Sequence, residues 1–387
     1  MATGVIEDFY ELLRQKMDKW PIRTPKSKDI MKILRELFTE EEAEILSYFK
    51  APFMDLATPI EIAQRSGKPA ENAIEILNSL AQRGLMFKIG KSRKRAKFTI
   101  WPTVIGIFEF VFSNAKIYSD EKLKRLARLF DNYLNRYIIP TAQTSNYPFS
   151  RVVPSKTSEK VIEINKDLGI VSQKICAFEE VEDLINQCTT IATMPCSCRV
   201  KAIQLGYTPK TLIDVCMTFD ISAEFFIENG MAKRLSKEEA LDLLVKCERN
   251  GLVHCTLNAQ KPNFICNCDK EFCGMLKPLS KFHRFDSPVF DNFRSNFLLK
   301  IDESIECNEC YRCVDLCPTH AIYPSIEDGG KFNLELNRDL CIGCGICSSN
   351  CSAKRLFLEK VENKIPVETM REAYRKYAKE RFKNKLK

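Results

Sequence analysis

Eight of the chain's eighteen cysteines fall in two copies of one spacing near the C-terminus. The first copy is Cys307, Cys310, Cys313 and Cys317, followed by Pro318; the second is Cys341, Cys344, Cys347 and Cys351. No other feature restricts the fold as tightly. A cubane iron-sulfur cluster needs four thiolates, one on each iron corner, and a tight Cys-x-x-Cys-x-x-Cys loop supplies three of them from one stretch. The fourth has to come from elsewhere in the chain. A single Cys-x-x-Cys can be a zinc knuckle or a redox disulfide, but two matched four-cysteine runs favour clusters over either. Gly343 and Gly345 fit this chemistry, because they relieve crowding and let amides turn toward cluster sulfurs.

The repeat resembles that of the bacterial two-cluster ferredoxins. The resemblance implies that the two runs exchange their fourth ligands. One [4Fe-4S] cluster would then use Cys307, Cys310, Cys313 and Cys351, and the other Cys341, Cys344, Cys347 and Cys317. Ser352 departs from the pattern, standing where a proline normally follows the fourth cysteine, and removes no ligand. The apolar stretches 321–323 and 356–358 read as short strands of a ferredoxin-like α+β module, with a hairpin around Asp328, Gly329 and Gly330.

A chain of 387 residues is long for one core, so an α+β protein of two to four units is expected. No run of eighteen apolar residues occurs, and neither a membrane span nor a secretion signal is expected. Cysteines laid out for clusters rather than for a disulfide framework point to a reducing cytoplasm, that of an anaerobe. The net charge of +8 permits an acidic partner without requiring one.

Residues 1–110 read as a winged helix-turn-helix. Thr39 and Glu42 form a capping box, Thr58-Pro59 opens a second helix that stops at Gly67, and a third runs over 69–83. Strands at 85–89 and 98–101 follow, joined by a basic turn with Lys91, Arg93, Lys94, Arg95 and Lys97. Those cations suit phosphates, but Glu71 and Glu75 at the start of the third helix would meet phosphate repulsion. Protein docking or a structural role is therefore the favoured use of this module and DNA the less favoured one.

Residues 111–160 read as a helical linker that becomes loose from Pro140 to Pro154. A cysteine-rich α/β central domain follows over 161–290, then the dicluster domain over 291–362 and a basic helix over 363–387. Within the central domain Cys176, Cys188 and Cys247 fit apolar helix faces. Cys255, beside His254, is ambiguous. Cys196, Cys198, Cys216, Cys266, Cys268 and Cys273 stand in short segments that look like loops at the ends of elements. They form a candidate site for a third iron-sulfur cluster or zinc. His254 is a second-tier ligand candidate, against the commoner reading of a satisfied interior histidine.

Several strings extend the likeness over most of the chain. These are Phe38-Thr-Glu-Glu-Glu-Ala43, Pro102-Thr-Val-Ile-Gly106, Pro195-Cys-Ser-Cys-Arg199, Asp214-Val-Cys-Met217, Gly251-Leu-Val-His254 and Ile265-Cys-Asn-Cys268. Together with the repeats they resemble a family of anaerobic 4Fe-4S ferredoxin-type proteins that join a winged-helix-like N-terminus, a cysteine-rich middle and a dicluster end. The chain departs from it after Cys268, where Asp269, Lys270, Glu271 and Phe272 intervene before Cys273. The resemblance implies electron transfer to a redox partner protein. An oxidoreductase using the central cysteines and a redox-responsive DNA-binding regulator stand as alternatives. No glycine-rich loop of dinucleotide or P-loop type occurs, and no catalytic nucleophile with a base is evident.

Overall fold

The computed structural model describes residues 8–142, 145, 147–154, 181–277, 293–326 and 332–384. Cys176 and the Asp328–Gly330 turn lie outside them. The chain forms two compact units, each assembled from separate stretches of sequence: 1–142, 194–209 and 221–233 in the first, and 143–193, 210–220 and 234–387 in the second.

The first unit is mainly helical. Local signals place its helices: Thr39 with Glu42 and Thr58 with Glu61 both make reciprocal capping boxes, and Gly67 ends the second of these helices at φ 69°. Helix Ala70–Gln82 follows, then the antiparallel ribbon β1 (Met86–Ile89) and β2 (Lys97–Ile100). Beyond the ribbon, helices Phe108–Ser113 and Asp120–Tyr133 bury Phe108, Phe112 and Phe130. An aromatic cluster joins these stretches to 221–233. Trp101 and Phe226 each pack tilted against Phe110 with ring centroids 4.5 Å apart, and Phe87 meets Phe225 edge-on at 4.9 Å. Such pairs contribute roughly 1 kcal/mol each beyond the area they bury.

The second unit is organised by a six-stranded sheet. Its strands are β3 (Ser150–Val152), β4 (Ile191–Pro195), β5 (Asp214–Phe219), β6 (Lys233–Leu235), β7 (Val253–Leu257) and β8 (Phe264–Cys268), in the order β3-β7-β8-β5-β4-β6. Side chains alternate along a strand, so the sheet has two distinct faces. On one, Ile191, Met217, Phe219 and Ile265 pack with Val181, Leu184 and Ile185 of helix Val181–Gln187 and with Ala240 and Leu244 of helix Lys237–Arg249. On the other, Val152, Val253, Cys255 and Cys268 pack with Leu276, Phe293, Ile342, Cys344 and Ile346. The C-terminal domain is thus seated directly on the sheet within this unit.

Two antiparallel pairs frame that domain: β9 (Phe297–Ile301) with β12 (Leu356–Lys360), and β10 (Ile322–Ile326) with β11 (Phe332–Leu336). One-turn helices Arg312–Leu316 and Ile346–Ser349 follow the two cysteine loops. Arg312 donates to the Arg249 carbonyl at 2.6 Å, and Asn350 to that of Glu248 at 2.9 Å, fixing both helices to the end of helix Lys237–Arg249. Helix Met370–Asn384 returns to bury Ala373 and Tyr377, with Tyr377 edge-on to Phe149. Two features differ from the expectation at sequence level. Residues 150–152 form a strand within a stretch that has the texture of a connector, because β7 offers a free edge to pair with. Cys216, Cys266 and Cys268 also sit in strands rather than loops, since Cys-x-Cys matches the two-residue period of a β-strand.

Candidate metal centres

The two cysteine loops build two cavities. Cys307, Cys310 and Cys313 line one together with Cys351, beside Tyr311, Phe332, Leu334 and Leu356. Cys341, Cys344 and Cys347 line the other together with Cys317, beside Leu299, Ile342, Leu336 and Leu358. Each cavity thus combines three thiols of one repeat with the last thiol of the other, and the remaining lining is mostly apolar.

Backbone conformation aims the thiols. In the second loop Gly343 and Gly345 adopt φ 64° and 79°, and in the first the equivalent positions are Glu309 and Tyr311 at 51° and 55°. All four are left-handed, a region that is unstrained for glycine alone. At Gly343 space reinforces the requirement, because an added Cβ would stand 2.0 Å from the Phe297 carbonyl oxygen and 2.3 Å from Ser295 Oγ. Ser352 is tied into the first cradle by a bond from Asn308 Nδ2 to its Oγ at 3.1 Å.

Amide donors surround the sulfurs. The Ala321 N–H donates to Cys317 Sγ at 3.2 Å, and backbone bonds reach Cys341 from Leu299 and Gly343, Cys344 from Ile346 and Cys313 from Val314. Such bonds stabilise negative charge on a thiolate and tune a cluster's potential. In the metal-free protein burial outweighs them. It pushes the Cys313 thiol up to about 11, with Cys351, Cys307 and Cys310 adding to the rise. Cys347 is raised well above the ordinary thiol range, first by burial and then by Cys344, Cys341 and Cys317. Four thiols around a largely apolar cavity, with amide N–H groups aimed at their sulfurs, make the donor set of a four-thiolate site. The donor set therefore fits a [4Fe-4S] cluster in each cradle. Among the described residues no three His, Cys, Asp or Glu side chains converge at the distance of a single bound ion.

The six central candidates are distributed between the two units. Cys196, the N-cap of helix Ser197–Gln204, and Cys198 in its first turn belong to the first unit. Cys216, Cys266, Cys268 and Cys273 belong to the second. Cys255 joins this second group, since it stands opposite Cys266 across the β7–β8 ladder. Only the pairing of two strands reveals that, and the alternation in Val253-His-Cys-Thr-Leu257 was the available signal. His254 is fully engaged: Nδ1 meets Asn267 Oδ1 at 2.5 Å and Nε2 meets Glu248 Oε1 at 3.1 Å, in a site where it is 1% exposed. Cys188 and Cys247 are buried, and Cys188 Sγ donates to the Leu184 carbonyl at 3.2 Å. In the first unit Lys91, Arg93, Lys94 and Arg95 are exposed, as are Glu71 and Glu75, while Asn72 donates to Glu41 at 2.6 Å. No described helix is long and apolar enough to cross a membrane.

Residues 306–355 match the family model of the 4Fe-4S dicluster domain. Three curated proteins are similar to part of the chain. The ferredoxin-type protein NapF of Haemophilus influenzae is 34% identical over 68 residues, covering 16% of this chain and 39% of NapF. A ferredoxin of Rickettsia felis is 40% identical over 50 residues, 13% of this chain and 40% of its own length. The ketoisovalerate oxidoreductase subunit VorC of Methanothermobacter marburgensis is 33% identical over 64 residues, 15% of this chain and 81% of VorC. The chain spans about two fifths of the first two relatives. No solved structure matches it.

Proposed function

Because the chain belongs, through its C-terminal domain, to the 4Fe-4S dicluster ferredoxin-type proteins, we propose that it passes low-potential electrons to a partner oxidoreductase in the cytoplasm. Cys307, Cys310, Cys313 and Cys351 would hold one cluster and Cys317, Cys341, Cys344 and Cys347 the other. Each cluster, once bound, takes up and releases one electron at a time. The residues do the rest: apolar lining excludes water, and the N–H bonds to Cys313, Cys317, Cys341 and Cys344 hold the thiolate charge. The observation that carries this reading is the pair of cavities, each lined by four thiols drawn from both repeats. Exposed Cys310, with half-exposed Tyr311 beside it, gives an outside protein direct access to one of them. VorC is named as a subunit of an oxidoreductase, which supports a role of the same kind here.

The domain scheme of 1–110, 111–160, 161–290, 291–362 and 363–387 goes with this proposal, the first being a winged-helix-like docking module. Exposed Glu71 and Glu75 on helix Ala70–Gln82 oppose phosphate contact and favour a protein as its partner. The oxidoreductase alternative draws on one observation, a cavity of about 290 Å³ in the second unit lined by Arg151, Arg294, Lys364 and Lys376. Arg294 lies close enough to Cys341 to favour its thiolate, so a small anion there would sit beside a cluster ligand.

The test is EPR and voltammetry on anaerobically purified protein. Two interacting one-electron centres near roughly −400 mV are expected. Protein without acid-labile sulfide, or clusters that neither accept nor give electrons, would sink the electron-carrier reading.

A further inference from the structure

A second gathering of thiols lies outside the dicluster loops, on the sheet face beneath them. In the β7–β8 ladder Cys255 stands opposite Cys266 and Val253 opposite Cys268. Alternation brings Cys255, Cys266 and Cys268 out on one face, the one opposite Ile265 and its apolar core. Cys273 is delivered by the turn that follows β8. There the Cys273 N–H donates to the Asp269 carbonyl at 3.0 Å, and the Asp269 carboxylate accepts from Glu271 N at 2.8 Å and Thr211 Oγ1 at 2.6 Å. Cys268 is the hub of the group, in hydrogen-bond contact with Cys255, Cys266 and Cys273.

Their setting separates them from ordinary core cysteines such as Cys188. Cys255, Cys268 and Cys273 are 4%, 7% and 6% exposed, so water does not serve them. Thiols are weak donors and weak acceptors, and three gathered around Cys268 gain little that valine or alanine would not provide. As thiolates, however, four of them are a complete ligand set for a cuboidal cluster. The group also packs in one core with Ile342, Cys344 and Ile346, and Cys255 lies near enough to Cys344 for the two sulfurs to interact electrostatically.

We propose that Cys255, Cys266, Cys268 and Cys273 hold a third iron-sulfur cluster, placed against the ligand Cys344 so that electrons pass between the sheet and the dicluster domain. The proposal rests on the electron-carrier reading of the two C-terminal cradles. Cys344 then stands between two one-electron centres. Transfer from one to the other oxidises the first and reduces the second, with no bond made or broken and no proton moved. This ligand set differs from a grouping by sequence proximity in taking in Cys255 and leaving out Cys196 and Cys198.

The test is iron and acid-labile sulfide per chain, with EPR after dithionite reduction, on anaerobically purified full-length protein. The wild type is compared with a Cys255→Ser/Cys268→Ser variant and a Cys196→Ser/Cys198→Ser variant. The proposal expects about twelve irons in the wild type, about eight in the first variant and about twelve in the second. It also expects loss of spin-coupling features when the sheet thiols are changed. About eight irons in the wild type overturns it whether or not the variants fold. Stoichiometric zinc, or a Cys255–Cys268 disulfide mapped by mass spectrometry in the anaerobic protein, overturns it too, as does iron loss confined to the Cys196→Ser/Cys198→Ser variant. A wild type with no iron defeats the electron-carrier reading itself, an outcome distinct from all of these.

Discussion

The two cradles of the C-terminal domain carry the same ligand spacing in different surroundings. In the first, Cys310 is exposed and Cys307 and Cys351 are half-buried; in the second, Cys317, Cys341 and Cys344 are all buried. The first loop makes its two left-handed turns with Glu309 and Tyr311, both exposed, while the second uses Gly343 and Gly345. The contrast follows from packing. Gly343 is pressed against Phe297 and Ser295, where no side chain fits, whereas Glu309 and Tyr311 can send theirs into water. The duplicated motif thus presents one exposed loop and one packed against β9.

The strongest way to break this comparison is to remove one ligand from each cradle. Cys310→Ser and Cys344→Ser should each cost about four irons per chain. Cys344→Ser should also destabilise the fold by about 2–4 kcal/mol more, since Cys344 belongs to the core shared with β7 and β8. Iron analysis with anaerobic thermal melts would check both. Equal melting losses would mean that the inner cradle is no more integral to the fold than the outer one.

A glycine exchange isolates the backbone. Gly343→Ala combines a left-handed φ with a Cβ 2.0 Å from a carbonyl oxygen, and should cost about 2–4 kcal/mol. Glu309→Ala, which keeps a Cβ in open space, should change stability by less than about 0.5 kcal/mol. Urea titrations of the two variants would compare them directly. A mild Gly343→Ala would show that β9 yields at Phe297 and that packing is not what reserves this position for glycine.

How much of this was legible in the sequence depended on the range of the signal. Cluster ligands are spaced within a few residues, so the repeats announced themselves. Capping signals are equally local, and the box at Thr39 and the helix start at Thr58-Pro59 both form. The sheet was less legible. Cys266-Asn-Cys268 looked like a ligand loop because its short polar neighbours resemble one, yet the same spacing is that of a strand whose alternate residues share a face. For Cys255 the one signal was the alternation in Val253-His-Cys-Thr-Leu257, and its place opposite Cys266 arises only when β7 pairs with β8. Ser150 to Val152 was concealed by flanking prolines and polar residues, and is a strand through pairing with β7 rather than through its own propensity.

Alkaline pH should separate the cradles more gently. In the metal-free chain burial raises Cys344 and Cys347 above the ordinary thiol value, and Cys313 to about 11. The unfolded chain therefore gives up these protons first as pH rises. Stability is fully present below about pH 9 and is lost above it, by about 2 kcal/mol at pH 10.5 for a thiol that stays neutral in the fold. Denaturation of chelator-treated protein at pH 7.5, 9 and 10.5 would show this decline, and Cys344→Ala should flatten it more than Cys313→Ala, because burial raises the Cys344 thiol further. A decline unchanged by Cys344→Ala would place its source outside the inner cradle.

The smallest effect tests whether the first loop is strained where the second is not. A non-glycine residue in the left-handed region costs about 1–2 kcal/mol, and glycine returns part of that as extra freedom in the unfolded chain. Glu309→Gly should therefore stabilise the protein by only about 0.5 kcal/mol, since its side chain is exposed and makes no packing contact that the change would remove. Tyr311→Gly should not gain in the same way, because its ring meets Phe332 edge-on at 5.3 Å in the lining of the outer cradle. If Glu309→Gly stabilises while Tyr311→Gly weakens the protein, the outer loop tolerates its strained residues for different reasons: one for want of a penalty large enough to matter, the other because its ring packs on Phe332 in the cavity lining.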